Sequence, residues 1–158
     1  MCDSKVDIVV DDDIEGDFSL PDNIASAVQA ACTVAGVSAQ PMLCIRFASN
    51  AEIRQLNSRW RGLDRVTDVL SFPMQDADAI GPSESLGDIA LAMPFVHQEA
   101  DRLGLPPTAH ILHLVVHATL HLLGYDHMGD EEAVQMQQLE SRAMQLMGLH
   151  DPYPALPS

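Results

Sequence analysis

The sequence predicts an α+β fold, a single domain in which a small mixed sheet of about four strands packs with about five helices. Three observations support this prediction. The chain has 158 residues, 47% of them hydrophobic, which suffices for one buried core. Short β-rich segments alternate with longer segments whose apolar residues recur at helical spacing. Proline, glycine and capping residues separate the segments. We therefore expect residues 1–158 to form one domain.

The strand signals are short runs of Val, Ile, Leu, Met and Phe that end at turn residues or at proline. The strands are expected at residues 6–10, 42–47, 69–72 and 86–93. The first alternates poorly but is rich in β-branched residues. Pro73 ends the third, and Pro94 follows the fourth.

The helix signals are start and stop residues around periodic apolar positions. The helices are expected at residues 21–34, 49–60, 94–103, between Pro107 and Gly124, and at 130–148. Ser49 and Glu52 form the S-x-x-E pattern of a capping box. Gly36, Gly124 and Gly148 are placed to end three of the helices. The core residues expected of the last helix are Val134, Met136, Leu139, Met144 and Met147.

Three histidines in the segment HATLHLLGYDH have the spacing of metal ligands. His117 and His121 are four residues apart, so they share one face of a helix. Gly124 ends that helix, and the following turn can return His127 to the same cation. Three imidazoles at about 2.0–2.1 Å leave the fourth position of a tetrahedral zinc ion open, as in catalytic sites. The alternative is that all three are packing residues.

The residues around these histidines indicate which hydrolytic reactions a metal at this site could catalyse. Ala118 stands where the metalloprotease pattern H-E-x-x-H has its glutamate base, which disfavours peptide hydrolysis. Asp126 is the nearest carboxylate in sequence and is expected to orient a ligand imidazole, with a role as the missing base as the alternative. His110 and His113 continue the histidine stripe. We expect them to be hydrogen-bonded structural residues, with outer-shell or substrate contacts as the alternative.

The charge distribution is uneven. The net charge is −15, from 8 basic and 23 acidic residues, which taken alone argues against a nucleic-acid partner. Five of the eight basic residues nevertheless lie within twenty positions: Arg46, Arg54, Arg59, Arg61 and Arg65. They predict either a positive cleft on an acidic body or scattered ion pairs with acids such as Glu52 and Asp64.

Location is predicted from what the sequence lacks. No apolar run approaches the ~20 residues of a membrane span, and residues 1–13 do not resemble a secretory signal. The three cysteines are unpatterned, as is typical of a reducing compartment. We expect a cytoplasmic protein without a membrane partner.

Four segments together resemble the YbeY-type endoribonucleases, the bacterial rRNA maturation factors. They are HLVVHATLHLLGYDH at 113–127, LNSRWRGLDRVTDVLSFP at 56–73, LGDIAL at 86–91 and EEAVQMQQLESRAMQLMGLHDPY at 131–153. They occur in the family's order and cover most of the chain. Ala118, Leu63 and Val66 depart from residues common in the family, but none of them is a proposed catalytic group.

The resemblance implies a single-strand-specific, metal-dependent endoribonuclease that acts in 16S rRNA 3′-end maturation and ribosome quality control. It implies one Zn²⁺ or another divalent cation on His117, His121 and His127, with Arg61 and His117 as catalytic residues. The implied partners are single-stranded RNA or rRNA and the small ribosomal subunit with its assembly proteins, but not DNA. Two alternatives stay open, a metallohydrolase of an ester or peptide and a non-enzymatic assembly factor with a structural metal.

A mechanism follows from these roles. A divalent cation lowers the pKa of a bound water to about 7 and polarises a phosphoryl oxygen, and attack by the RNA 2′-hydroxyl is an equally open route. Arg61 is expected to stabilise charge on the phosphate.

Trp60 is expected to continue the apolar face of Ile53 and Leu56 into the core, with base stacking as the alternative. Seven aromatic residues are too few for an extended stacking platform, so sequence-specific base reading is not predicted.

Overall fold

The computed structural model describes residues 6–11, 23–37, 42–73, 85–125 and 129–153. The strands are β1 (Val6–Val10), β2 (Met42–Ala48), β3 (Val69–Pro73) and β4 (Ser85–Ala92). The helices are α1 (Ile24–Val34), α2 (Asn50–Arg61), α3 (Met93–Leu103), α4 (Pro107–Leu122) and α5 (Asp130–Leu146). The predicted α+β class, with four strands and five helices in these ranges, is confirmed.

The sheet is mixed, as predicted. Its strand order is β1-β2-β4-β3. Strand β2 runs parallel to β1 and β4, whereas β3 runs antiparallel to β4. Along β4, Ile89 pairs with Ile45 of β2 and with Ser71 of β3. Strand β3 therefore lies at one edge of the sheet, between the central strand β4 and solvent.

The two faces of the sheet are covered differently. Leu43, Ile45 and Phe47 of β2 point into the main core, which also contains the buried faces of α1, α4 and α5. On the opposite face, a smaller cluster contains Ala48 of β2, Ala90 and Ala92 of β4, Leu70 of β3 and Ile53 of α2. The side-chain alternation of extended strands produces this division. Helix α4 is consequently a central helix, and α2 covers part of the second face together with Phe95 of α3.

Local signals explain where α2 and α4 begin and end. The Ser49 hydroxyl accepts a hydrogen bond from the Glu52 backbone N–H at 3.2 Å, which is half of the predicted capping box. Helix α4 ends at Leu122. Beyond it, Gly124 has φ 104°, its N–H donates to the His121 carbonyl, and the Tyr125 N–H donates to the Leu120 carbonyl. This is a Schellman stop, at the position that the sequence predicts.

Three element predictions need correction or fall outside the described residues. Met93 begins α3 instead of ending β4, because Pro94 in the first turn favours helical φ. Val134 is 38% exposed. It lies two residues, or roughly 200°, around α5 from the buried Met136, so its assignment to the core is wrong. The predicted helix start at residues 21–22 lies outside the described residues. None of the described helices is both long enough and apolar enough to cross a membrane.

Candidate metal centre and arginine groove

Helix α4 places His117 and His121 one turn apart, as predicted. Eleven of its sixteen residues are buried, so the helix is fixed by the core around it. The two imidazole rings are 5.0 Å apart between centroids and nearly perpendicular, at 84°. The His117 side chain is 25% exposed. The pair therefore stands at the margin of the core, on a rigid support.

A buried carboxylate holds His117 from behind. Glu140 of α5 is 1% exposed, and its Oε1 lies 3.2 Å from Nδ1 of His117 and 2.7 Å from Nε2 of His113. The Tyr153 hydroxyl donates to the same oxygen at 3.1 Å. A carboxylate only accepts hydrogen bonds, so both imidazole nitrogens are donors. With its proton on Nδ1, His117 presents Nε2 as the nitrogen with a lone pair.

The electrostatics agree with an ionised Glu140. Burial alone would raise its pKa, but hydrogen bonds from His113 and His117, together with the positive charge that these imidazoles carry when protonated, outweigh burial and lower the pKa to about 2. Tyr153 is affected in the opposite direction. Burial, the charge of Glu140, the hydrogen bond to it and the charge of Asp68 all raise the Tyr153 pKa above its usual value. The carboxylate thus stays charged and the phenol stays neutral.

The spacing of the two histidines fits a shared cation. Two imidazoles bound to one tetrahedral zinc ion at about 2.1 Å would place their ring centroids about 5 Å apart, which agrees with the observed 5.0 Å. Backing by a carboxylate is also typical of metal-bound histidines. Within the described ranges no group of three or more His, Cys, Asp or Glu residues is arranged to hold a metal. The third predicted ligand, His127, and Asp126 both lie outside those ranges.

The other two histidines of α4 are hydrogen-bonded, as predicted. His110 is 4% exposed, and its Nε2 lies 2.6 Å from Oε1 of Glu99. His113 shares Glu140 with His117, so it is both a packed residue and a neighbour of the candidate ligand. His110 and Glu99 form a separate pair with the same chemistry.

Sequence reasoning missed Glu140 and Tyr153. A signal for Glu140 was present, because it falls on the stripe of α5 that also carries Met136, Ala143 and Met144. A charged residue on an apolar helical stripe predicts a buried, partnered carboxylate. Nothing comparable marks Tyr153, which follows the last helix. Asp68, the residue before β3, also escaped the sequence analysis, yet its charge acts on Tyr153.

The arginine-rich segment divides into paired and unpaired side chains, so each of the two sequence interpretations describes part of it. Arg46 bonds to Asp11 at 2.9 Å and lies 3.3 Å from Glu52, and Arg54 bonds to Asp64 at 2.7 Å. Arg59, Arg61 and Arg65 form no ion pair with another described residue. Arg61 is the last residue of α2, followed by Gly62 with φ 69°. Within the described ranges, no carboxylate neutralises its guanidinium.

Arg61 lines a groove between α2 and the second face of the sheet, with a volume of about 690 Å³. Other residues of its lining are Arg46, Trp60, Phe72 and Asp88. Trp60 is 65% exposed, so the prediction that it packs in the core is wrong. The last turn of α2 lies near the edge strand, where the indole meets the Phe72 ring at 6.2 Å between centroids. No residue of α4 lines this groove.

The α+β fold and the carboxylate-backed histidine pair define a class of protein with a candidate metal centre on a central helix. Comparison with known proteins identifies the family. The family model described as Endoribonuclease YbeY matches residues 10–148. Proteins named Endoribonuclease YbeY from Rhodopseudomonas palustris and Alkalilimnicola ehrlichii are 44% and 43% identical over 127 residues. These matches cover 78% and 80% of this chain and 74% and 76% of the relatives. The chain belongs to the YbeY endoribonuclease family.

A solved structure agrees with this assignment. The solution structure of a protein from Thermotoga maritima has a TM-score of 0.56 and 25% sequence identity. The match covers 97% of this chain and 96% of that one. The resemblance to the YbeY-type endoribonucleases that the sequence motifs indicate is thus confirmed, and so is the fold.

Proposed function

We propose that this protein is a metal-dependent endoribonuclease that cleaves single-stranded RNA, with residues 1–158 as one domain of this kind. The observation that carries the proposal is the hydrogen bond between Glu140 and Nδ1 of His117. It turns Nε2 of His117 into a preoriented ligand nitrogen beside His121. Membership of a family named for endoribonuclease activity supports RNA as the substrate.

The proposed cation is one Zn²⁺, or another divalent metal, held by His117, His121 and His127. When bound, it supplies a Lewis acid and a source of activated water near neutral pH. Glu140 keeps His117 in the tautomer needed for binding and compensates part of the added positive charge. Ala118, beside the first ligand, leaves the helix without the glutamate base of H-E-x-x-H peptidases, which favours RNA over peptides.

Arg61 is the proposed phosphate-binding catalytic residue. Its guanidinium is permanently charged and can engage two phosphate oxygens at once. Because no described residue neutralises it, it is suited to stabilise the negative charge that grows on the phosphate during cleavage.

The cellular role belongs to the same proposal. We place the activity in 16S rRNA 3′-end maturation and in ribosome quality control in the cytoplasm. Its partners would be rRNA and the small ribosomal subunit with its assembly proteins. The motif resemblance supports this role, and the acidic surface of the chain, at net charge −15, suits contacts with basic ribosomal proteins.

The test is RNA cleavage by metal-loaded, nuclease-free protein, with metal content measured on the same samples. We expect His117→Ala to lose both the metal and the cleavage. We expect His110→Gln to keep both, because His110 lies on the same helix but outside the ligand set. Cleavage by His117→Ala at the parent rate would contradict the proposal. The protein could instead unfold when a chelator removes the metal, while the metal-loaded protein cleaves no RNA. That result would favour an assembly factor with a structural metal. Ester and peptide panels test the remaining alternative.

A further inference from the structure

The groove beside Arg61 contains an exposed aromatic ring of the kind on which nucleobases stack. Trp60 is the only tryptophan of the chain and is 65% exposed. Its ring meets Phe72 edge-to-face, with an interplanar angle of 62°. This contact steadies the indole while most of its surface stays open to solvent. A base stacked on an exposed aromatic ring typically contributes about 1–3 kcal/mol.

The groove carries a positive side chain on one side and a negative side chain on the other. Arg61 lies at the end of α2, next to Trp60, and has no ion-pair partner among the described residues. Across the groove, Asp88 of β4 is exposed and occupies the register position opposite Phe72 of β3. A cation and a carboxylate therefore flank one aromatic pair. The cation suits a phosphate, and the carboxylate suits a hydrogen-bond donor on the base.

We propose that this groove binds one nucleobase of the RNA substrate, stacked on Trp60 with its phosphate at Arg61, and that Asp88 favours bases with an exocyclic amine. The proposal rests on the proposed ribonuclease function and adds a base preference to it. Cytosine and uracil differ at the decisive position. Cytosine offers an N4 amine that a carboxylate can accept from, whereas uracil offers a carbonyl oxygen that a carboxylate repels.

Strand β3 links the groove to the histidine pair. Phe72 lines the groove, and the charge of Asp68, at the other end of the same strand, acts on Tyr153 beside Glu140. Four residues of extended chain span about 13 Å. In this arrangement the phosphate at Arg61 is the one to be cleaved, and it needs only a short reach around the sheet edge to approach the histidines.

The first experiment uses the lone tryptophan as its own reporter. The full chain is titrated with 2′-O-methyl hexanucleotides of cytidine or uridine, which lack the reactive 2′-hydroxyl and whose bases carry an amine or a carbonyl at C4. We expect saturable quenching of Trp60 fluorescence, with the cytidine hexamer binding roughly tenfold more tightly, the effect of one charge-assisted hydrogen bond. In Asp88→Asn the preference should fall below about twofold, because an amide can both donate and accept.

The second experiment uses cleavage kinetics. Trp60→Leu should raise KM for single-stranded RNA roughly tenfold with little change in kcat, because stacking holds the substrate without touching the reacting atoms. Gln55→Ala is the matched control, an exposed residue that lines a different part of the α2 surface. Circular dichroism establishes that each variant is folded.

Three results would overturn the inference. They are equal binding of the two hexamers by the parent chain, an unchanged preference in Asp88→Asn, and Trp60→Leu kinetics identical to those of Gln55→Ala. Quenching by oligolysine but by neither hexamer would identify a protein-docking surface and would equally overturn it. Because the fluorescence titration needs no cleavage, its failure is distinguishable from failure of the proposed ribonuclease activity.

Discussion

The histidine cluster between α4 and α5 and the arginine-rich segment at residues 46–65 differ in how their polar groups are partnered. In the cluster, Glu140 is buried and accepts hydrogen bonds from His113, His117 and Tyr153. In the segment, Arg59, Arg61 and Arg65 lack ionic partners among the described residues. The cluster is hydrogen-bonded within the chain, whereas the proposed function gives these three arginines their partners only when RNA binds. Substitutions in the first region should therefore change stability and metal affinity, and those in the second should change only the handling of RNA.

Removal of the Glu140 carboxylate is the strongest test of this difference between the two regions. Glu140→Ala leaves three partly buried donors without their acceptor, so we expect the free energy of unfolding to fall by roughly 3–5 kcal/mol. We also expect metal affinity to fall 10- to 100-fold, on the order seen for lost outer-shell partners. Urea denaturation and competition with a chelator measure the two effects.

Glu99→Ala is the matched control for that experiment, since Glu99 pairs with His110 at 2.6 Å on the same helix. It should destabilise the fold while leaving metal affinity unchanged. An equal loss of metal affinity in both variants would show that general loosening of α4, rather than orientation of His117, is responsible.

Removing the guanidinium tests the second region. Arg61→Ala should lower the rate of RNA cleavage roughly a hundredfold, the usual effect of deleting one group that stabilises transition-state charge. Stability and metal content should stay at the parent values. Arg59→Ala, in the same helical turn and also unpaired, is expected to change the rate less than about twofold. Indistinguishable rates for the two variants would remove Arg61 from the mechanism.

The phenol of Tyr153 gives a pH-dependent test of the first region. Its pKa is raised in the folded protein, so the stabilisation is fully present below the unfolded pKa of about 10 and is lost as pH rises through the folded value. We expect the unfolding free energy to decline above pH 10 less steeply in Tyr153→Phe than in the parent. At neutral pH this variant should lose about 1 kcal/mol, the worth of one hydrogen bond. Parallel pH profiles would contradict the assignment.

The smallest effect is expected at the exposed pair of Arg54 and Asp64. Their hydrogen bonds of 2.7 and 3.2 Å lower the pKa of Asp64, but exposed ion pairs are screened by solvent and salt. Arg54→Ala should match the parent in urea midpoint and in RNA cleavage. A large loss of cleavage would show that RNA contacts extend along the whole of α2 and are not concentrated at Arg61.

Much of the fold could be predicted because its signals are local. Ser49 caps α2, Gly124 stops α4, and the apolar face of α4 predicts its burial. The histidine pair could be predicted for the same reason, since spacing along one helix fixes its geometry. Glu140 and Tyr153 could not be assigned in the same way, because they join His117 only through the packing of α5 and the segment after it against α4. Trp60 follows an apolar helical spacing, but that spacing does not show that the sheet ends beneath it.

The order of His117 and Glu140 along the chain also affects when the candidate metal centre can form during translation. Synthesis proceeds from His117 toward α5, so a growing polypeptide carries the histidine pair before it carries the carboxylate that lies 23 residues further on. Until α5 has emerged and docked, Glu140 cannot select the His117 tautomer. A nuclease of this design matures late during its own translation, when most of the core that supports it already exists.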